Sequence, residues 1–150
     1  MREYLLELVA KRSGHNERLN IMREYLQAYI LRLMHDAGAF RNAAFVGGTA
    51  LRFLHGLPRF SEDLDFSVTA PAPGFFTGLL KKIKDGLALA GYEAKISYDE
   101  EKTVLSSFIK FSGLLQAAGL TGHKTQLLSI KLEMDSNPPS GAGLETKLVN

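Results

Sequence analysis

The spacing of apolar residues divides the N-terminal part of the chain into helices separated by glycines. Residues 4–9 place leucine and valine at helical intervals before Gly14, which predicts a short first helix. A longer apolar stripe at steps of three and four predicts a helix over residues 16–36, with Asn16 as its N-cap and Gly38 as its stop.

The remaining pattern alternates between strand and helix signals. The short apolar run 43–46 predicts a strand that ends in a glycine turn, and residues 49–55 predict a helix that begins at this turn. The other predicted elements are a strand at 63–68, a helix at 75–90, a hairpin of strands 92–98 and 103–111, a loop or helical turn at 113–122, a strand at 126–135 and an extended tail at 136–150.

Strict alternation in two of these strands places acidic residues on one face. Asp63 and Asp65 point to the same side of their strand, about 6.5 Å apart along the chain. Lys131, Glu133 and Asp135 share one face of the last strand. If both strands belong to one sheet, at least three carboxylates converge beside a lysine.

Composition restricts the class of protein. With 150 residues and 45% hydrophobic content, one domain with one core is expected over residues 1–150. The formal charge of +2 does not by itself indicate nucleic-acid binding. The absence of cysteine removes disulfides and thiolate sites, and no signal peptide or membrane-length apolar run is present, so a cytoplasmic protein that does not contact a membrane is expected.

The turn formed by Gly47, Gly48 and Thr49 has two interpretations. Glycines permit close approach of a ligand, and N–H groups at the start of a helix attract anions such as a triphosphate. Taken alone, a Gly-Gly-Thr sequence is more often a tight strand-to-helix turn in which the threonine, here Thr49, caps the helix. Arg59 and, ranked below it, Arg52 are candidates for phosphate contact or for ordinary surface roles.

The acidic residues allow a more specific hypothesis. Asp63 and Asp65 suit one or two Mg²⁺ ions, although an acidic pair on a strand is also common on a solvated face. Glu133 or Asp135 would complete a two-metal site for in-line nucleotidyl transfer. Lys131 would offset the negative charge or contact a phosphate.

These motifs together resemble a known family. The blocks Gly47 to Leu51, Arg59 to Phe66 and Lys131 to Asp135 are similar to AbiEii/AbiGii-type toxins, which belong to the polymerase-β-like nucleotidyltransferase superfamily. The resemblance covers roughly residues 45–135.

The resemblance implies an α+β nucleotidyltransferase fold, a mixed β-sheet flanked by helices. It implies Asp63 and Asp65 as metal ligands, Gly48 and Thr49 at the nucleotide phosphates, and Lys131 with Glu133 in a second motif, with Glu133 preferred over Asp135. It also implies a nucleoside triphosphate (GTP, CTP or ATP), Mg²⁺, tRNA as a possible acceptor, and a cognate antitoxin.

Members of the family generally continue into a helical C-terminal half with a late catalytic lysine or aspartate. On this basis residues 1–150 are expected to form the nucleotidyltransferase catalytic domain at the N-terminal end of a longer architecture, with part of the acceptor site beyond Asn150. Two alternatives remain at this point, an antibiotic-type enzyme that modifies small molecules and a non-catalytic nucleotide-binding module.

Overall fold

The structure is a computed structural model that describes residues 1–148, and it consists of one mixed sheet with five α-helices. The strands lie in the order β1-β2-β5-β4-β3, and the pairs are antiparallel except for β2 with β5. The helices are α1 (Arg2–Ala10), α2 (His15–Asp36), α3 (Gly47–His55), α4 (Phe75–Leu89) and α5 (Leu114–Ala117), and the strands are β1 (Ala43–Val46), β2 (Leu64–Val68), β3 (Ala94–Asp99), β4 (Val104–Phe111) and β5 (Leu128–Asp135).

The predicted α+β class is confirmed, and most predicted elements are present within two residues of their expected bounds. The N-cap of α2 was predicted wrongly, because the helix begins at His15 and Gly14 occupies the cap position. The helix after the glycine turn begins at Gly47, two residues before the predicted start at Thr49. The ambiguous segment contains the four-residue helix α5.

The two faces of the sheet differ in burial. The first face is apolar, because alternate residues of β2 and β5 are buried against the core side chains of α1, α2 and α4. Leu64, Phe66, Leu132 and Met134 are at most 2% exposed. The side chains of the second face, which include all the predicted acids of β2 and β5, are half-buried or exposed.

The predicted tail has no helix or strand from residue 136 to residue 148, and Val149 and Asn150, which end it, lie outside the described residues. Within residues 1–148, no helix combines the length and the apolar character needed to cross a bilayer.

Candidate functional site

Register in the parallel pair β2 and β5 brings the predicted acids together. Asp65 lies directly opposite Glu133, and Leu64 lies opposite Leu132. Because neighbouring strands are about 4.8 Å apart, opposed side chains on one face are within reach of a shared ligand. Asp63 immediately precedes β2 and comes from the same side of the chain as Asp65.

Lys131 offsets part of the negative charge of Asp63, Asp65 and Glu133. Its ammonium donates a hydrogen bond to the Glu133 carboxylate, and this hydrogen bond raises the pKa of Lys131. Burial, followed by the negative charges of Glu133 and Asp63, raises the pKa of Asp65, whereas Lys131 lowers it. The site therefore holds more negative charge than one lysine offsets.

Asp135 lies one step further along β5. It is opposite Ser67, so its neighbour across the sheet is a hydroxyl and not another acid. One of its carboxylate oxygens accepts a hydrogen bond of 2.9 Å from the Asn137 backbone N–H. The geometry therefore favours Glu133 over Asp135 as the third carboxylate.

The glycine turn packs directly against Asp65. Gly47 has a φ of +79°, and a Cβ built on it would lie 2.6 Å from an Asp65 carboxylate oxygen. Because Val46 lies opposite Asp65 in the antiparallel pair of β1 and β2, the first turn of α3 begins beside the acid. No side chain caps this turn within the described residues, so its backbone N–H groups are suited to an anion.

Arg59 lies at the same turn. A Cβ on Gly48 would be 3.2 Å from an Arg59 guanidinium nitrogen and 3.2 Å from the Ser61 hydroxyl oxygen. The Arg59 side chain is exposed and forms no ion pair in the part of the chain that the structure describes. It is therefore placed to contact a phosphate held at the turn.

Arg52, in contrast, contacts other residues of the fold. Its guanidinium pairs with Glu24 at 2.6 Å and donates a hydrogen bond of 3.2 Å to the Leu57 carbonyl. It also stacks 3.9 Å from the centre of the Phe60 ring. These contacts explain the position of the Arg52 side chain without a ligand. They agree with its rank below Arg59 as a candidate for phosphate contact.

Thr49 has a positioning role in this arrangement. It is fully buried, and its hydroxyl donates to the backbone carbonyl of Asp63. The alternative prediction that it caps α3 is wrong, since Val46 occupies the N-cap position. The hydroxyl links the glycine turn to the segment that carries the first acid, while the backbone N–H of Thr49 belongs to the first turn of α3.

A second support for this segment comes from α2 and was not predicted from the sequence. Gln27 is 1% exposed and donates a hydrogen bond of 2.9 Å to the Ser61 carbonyl. Arg23 contacts the Glu62 carboxylate at 3.3 Å. The signal available in the sequence was a glutamine next to the apolar stripe of α2, but such a residue has no recognisable partner until the fold is known.

A cavity of about 380 Å³ adjoins the acids. Asp63 and Lys131 line its edge nearest the site, and Phe108, Ser129 and residues near the start of α2 line the rest. It provides a recess for part of a substrate beside the carboxylates.

The residues present fit divalent metal, although their arrangement is not a preformed cluster. Within residues 1–148, no three His, Cys, Asp or Glu side chains stand close enough to one another to hold an ion as they are. The fit rests on the oxygen donors of Asp63, Asp65 and Glu133. Burial, and after it repulsion from Glu133 and Asp63, raises the pKa of Asp65, and a cation would relieve the repulsion.

Comparison of the sequence with models of protein families finds a match that covers most of the chain. Residues 29–145 match the model of the nucleotidyl transferase AbiEii toxin of type IV toxin–antitoxin systems. This interval contains every predicted site residue. No curated protein sequence matches the chain.

Solved structures share the fold. JHP933 from Helicobacter pylori has a TM-score of 0.56 and 21% identity, over 87% of this chain and 49% of its own. A second H. pylori protein, provisionally assigned as a nucleotidyltransferase, has a TM-score of 0.55 and 24% identity, over 79% and 46%. MenT4, a nucleotidyltransferase toxin of Mycobacterium tuberculosis, has a TM-score of 0.52 and 21% identity, over 88% and 43%. The chain thus spans less than half the length of each.

Proposed function

Because the chain belongs to the AbiEii family of nucleotidyltransferase toxins, we propose that it catalyses Mg²⁺-dependent transfer of a nucleoside monophosphate from a triphosphate to RNA, with tRNA as the acceptor. The observation that carries this proposal is the convergence of Asp63, Asp65 and Glu133, beside Lys131, on the uncapped first turn of α3.

The triphosphate binds at the glycine turn. The backbone N–H groups of Gly47, Gly48 and Thr49 face its phosphates, and Arg59 contacts them from the side. Gly47 permits this approach because a larger residue would occupy the space next to Asp65.

The acids and the lysine organise the reacting groups. A hydroxyl oxygen of the acceptor attacks the α-phosphorus, the bond from that phosphorus to the bridging oxygen of the β-phosphate breaks, and pyrophosphate leaves with the bonding electrons. The acceptor hydroxyl gives up its proton to a carboxylate of Asp63, Asp65 or Glu133. The sequence predicts two Mg²⁺ ions. Asp63, Asp65 and Glu133, with Asp135 in reserve, would hold them, and they would stabilise the charge that develops on the reacting phosphate.

The physiological setting follows from the same family. The protein acts in the cytoplasm, where modification of tRNA blocks translation, and a cognate antitoxin restrains it. Residues 1–150 are the catalytic domain that binds the nucleotide, and the domain assignment stays a prediction.

The test is incubation of the protein with Mg²⁺, total tRNA and GTP, CTP or ATP labelled at the α-phosphate. We expect transfer of label to tRNA, and we expect loss of transfer in a variant that combines Asp63→Asn with Asp65→Asn. Asp85→Asn is the control, because it removes a carboxylate from the exposed side of α4, outside the site.

Three outcomes contradict the proposal. Label transfer that survives the double substitution would mean that other residues perform the chemistry. Label on an added aminoglycoside in preference to tRNA would favour an antibiotic-type enzyme, and calorimetric binding of the triphosphate without any transfer would favour a non-catalytic nucleotide-binding module.

A further inference from the structure

An aromatic side chain stands between two lysines on the open face of the sheet. Phe108 of β4 is 40% exposed. The ammonium of Lys131 on β5 lies 5.8 Å from the centre of its ring, and that of Lys110 lies 5.9 Å away. An exposed phenylalanine flanked by cations within about 6 Å presents a flat apolar surface in a positive field.

A third lysine extends this surface to the edge strand. Lys95 of β3 lies directly opposite Lys110 in the antiparallel register, and therefore on the same face. Like charges in this relationship destabilise a sheet. Neither lysine forms an ion pair with another side chain of residues 1–148. An anionic ligand would relieve the repulsion.

The surface is continuous with the candidate site. Phe108 lies opposite Lys131, which contacts Glu133, and Ser129 lies opposite Lys110. Phe108, Ser129 and Lys131 also line the cavity of about 380 Å³. The Ser129 hydroxyl is buried without a hydrogen-bond partner among the described residues, a state that costs free energy until a polar group approaches.

We propose that Phe108, Lys95 and Lys110 form a binding platform for single-stranded RNA, which leads the acceptor end to the carboxylates. The proposal rests on the proposed function for the identity of the acceptor. An unpaired base stacks on Phe108, and the adjoining phosphates lie against Lys95 and Lys110.

The arrangement suits a single strand better than a duplex or a protein. Single-stranded RNA exposes base faces that stack on aromatic side chains, whereas bases in a duplex are already stacked on one another. A protein partner would be expected to cover a larger apolar area than one phenylalanine among lysines provides. The pattern, an aromatic ring with Lys110 and Lys95 beside it on the same face, matches a base and its adjoining phosphates.

The test measures binding and does not require catalysis. A fluorescein-labelled single-stranded RNA of 12 nucleotides is titrated with the full chain, and anisotropy gives the dissociation constant over a range of salt concentrations. We expect Phe108→Ala to weaken binding by at least about fivefold, the lower end of the effect of losing one stacked base. Phe108→Leu, which keeps an apolar side chain, should weaken binding similarly because it also lacks the ring.

The lysines are tested by the salt dependence. Substitution of both Lys95 and Lys110 by serine should reduce the slope of log K against log salt by about 1.4, since each phosphate contact on a single strand contributes about 0.7. The matched control substitutes Lys82 and Lys84 by serine. These two exposed lysines lie on α4, which packs on the first face, so the control removes equal charge without touching the platform.

The proposal is overturned if the control lowers affinity and slope as much as the Lys95 and Lys110 pair, because binding would then reflect net charge alone. It is also overturned if Phe108→Ala leaves affinity unchanged while its thermal unfolding matches that of the unsubstituted chain, or if a hairpin duplex binds as tightly as the single strand. If the RNA-binding tests give the expected results but the protein transfers no label to tRNA, the proposed enzymatic function is disproved and the proposed RNA-binding platform stands.

Discussion

The replacement of Gly47 by alanine is the sharpest test of how the glycine turn serves the site. Gly47 has a φ of +79°, in the left-handed region that side chains with a Cβ avoid. The added methyl group would also lie 2.6 Å from an Asp65 carboxylate oxygen, closer than Cβ atoms approach other heavy atoms. One methyl group thus perturbs the backbone and the Asp65 carboxylate together.

The magnitude follows from these two effects. The left-handed conformation costs an alanine about 1–2 kcal/mol. Because the Asp65 side chain can rotate away, the clash adds about 0.5–1.5 kcal/mol as an off-rotamer χ angle. The expected loss in the free energy of unfolding is about 1.5–3.5 kcal/mol, and displacement of the carboxylate by about 1 Å should reduce transfer about 100-fold.

Gly56→Ala is the matched control. Gly56 ends the same helix with a φ of +67°, but no atom lies within 4 Å of a Cβ placed there. Gly56→Ala should lower the free energy of unfolding only by the cost of the left-handed conformation, about 1–2 kcal/mol, and leave transfer unchanged. Urea denaturation measures the free energy of unfolding, and label transfer to tRNA measures activity.

The reasoning is refuted if Gly47→Ala retains full transfer activity, because the turn would then tolerate a methyl group against Asp65. It is equally refuted if Gly56→Ala loses as much activity as Gly47→Ala, since a conformational cost shared by both glycines would then explain the result.

Three further predictions concern individual side chains. Thr49→Val removes the hydrogen bond to the Asp63 carbonyl and should lower the free energy of unfolding by about 1–3 kcal/mol in urea denaturation, whereas Thr49→Ser should retain most of the stability. Equal losses would contradict the role given to the hydroxyl. Arg52→Ala should lower the melting temperature without a specific loss of nucleotide affinity. Arg59→Ala should weaken triphosphate binding in calorimetry without changing the melting temperature. The opposite result would mean that Arg52 contacts the nucleotide and that Arg59 stabilises the fold. Tyr92→Phe should leave the chain equally stable or up to about 1 kcal/mol more stable in urea denaturation. The Tyr92 hydroxyl is buried without a hydrogen-bond partner in residues 1–148, and burial raises its pKa. A decrease of more than about 1 kcal/mol in the free energy of unfolding would reveal a partner for that hydroxyl.

Local patterns in the sequence were sufficient for most of the fold. The alternation of β2 and β5 was visible because a strand buried on one face must place apolar residues at every second position. The long apolar stripe of α2 was visible for the corresponding reason at helical spacing. Errors were concentrated at helix starts, where Gly14 and Val46 occupy caps that depend on backbone geometry.

Side-chain partners were not available from the sequence. The sequence placed Asp63 and Asp65 on one face and grouped Lys131 with Glu133, but only strand register set Asp65 opposite Glu133 and moved Asp135 opposite Ser67. A shift of two residues in that register would preserve every buried side chain and yet place Lys131 or Asp135, and not Glu133, opposite Asp65.

The same distinction applies to the parts of the site that the sequence left open. The sequence determined the residue types of the glycine turn and the acids, because their chemistry is local. Only the tertiary structure placed the buried hydroxyl of Thr49 and the amide of Gln27 on the segment before β2, and exposed Phe108 among three lysines. These contacts join residues far apart in the chain, and their energies depend on burial and distance, which exist only once the sheet and helices have packed.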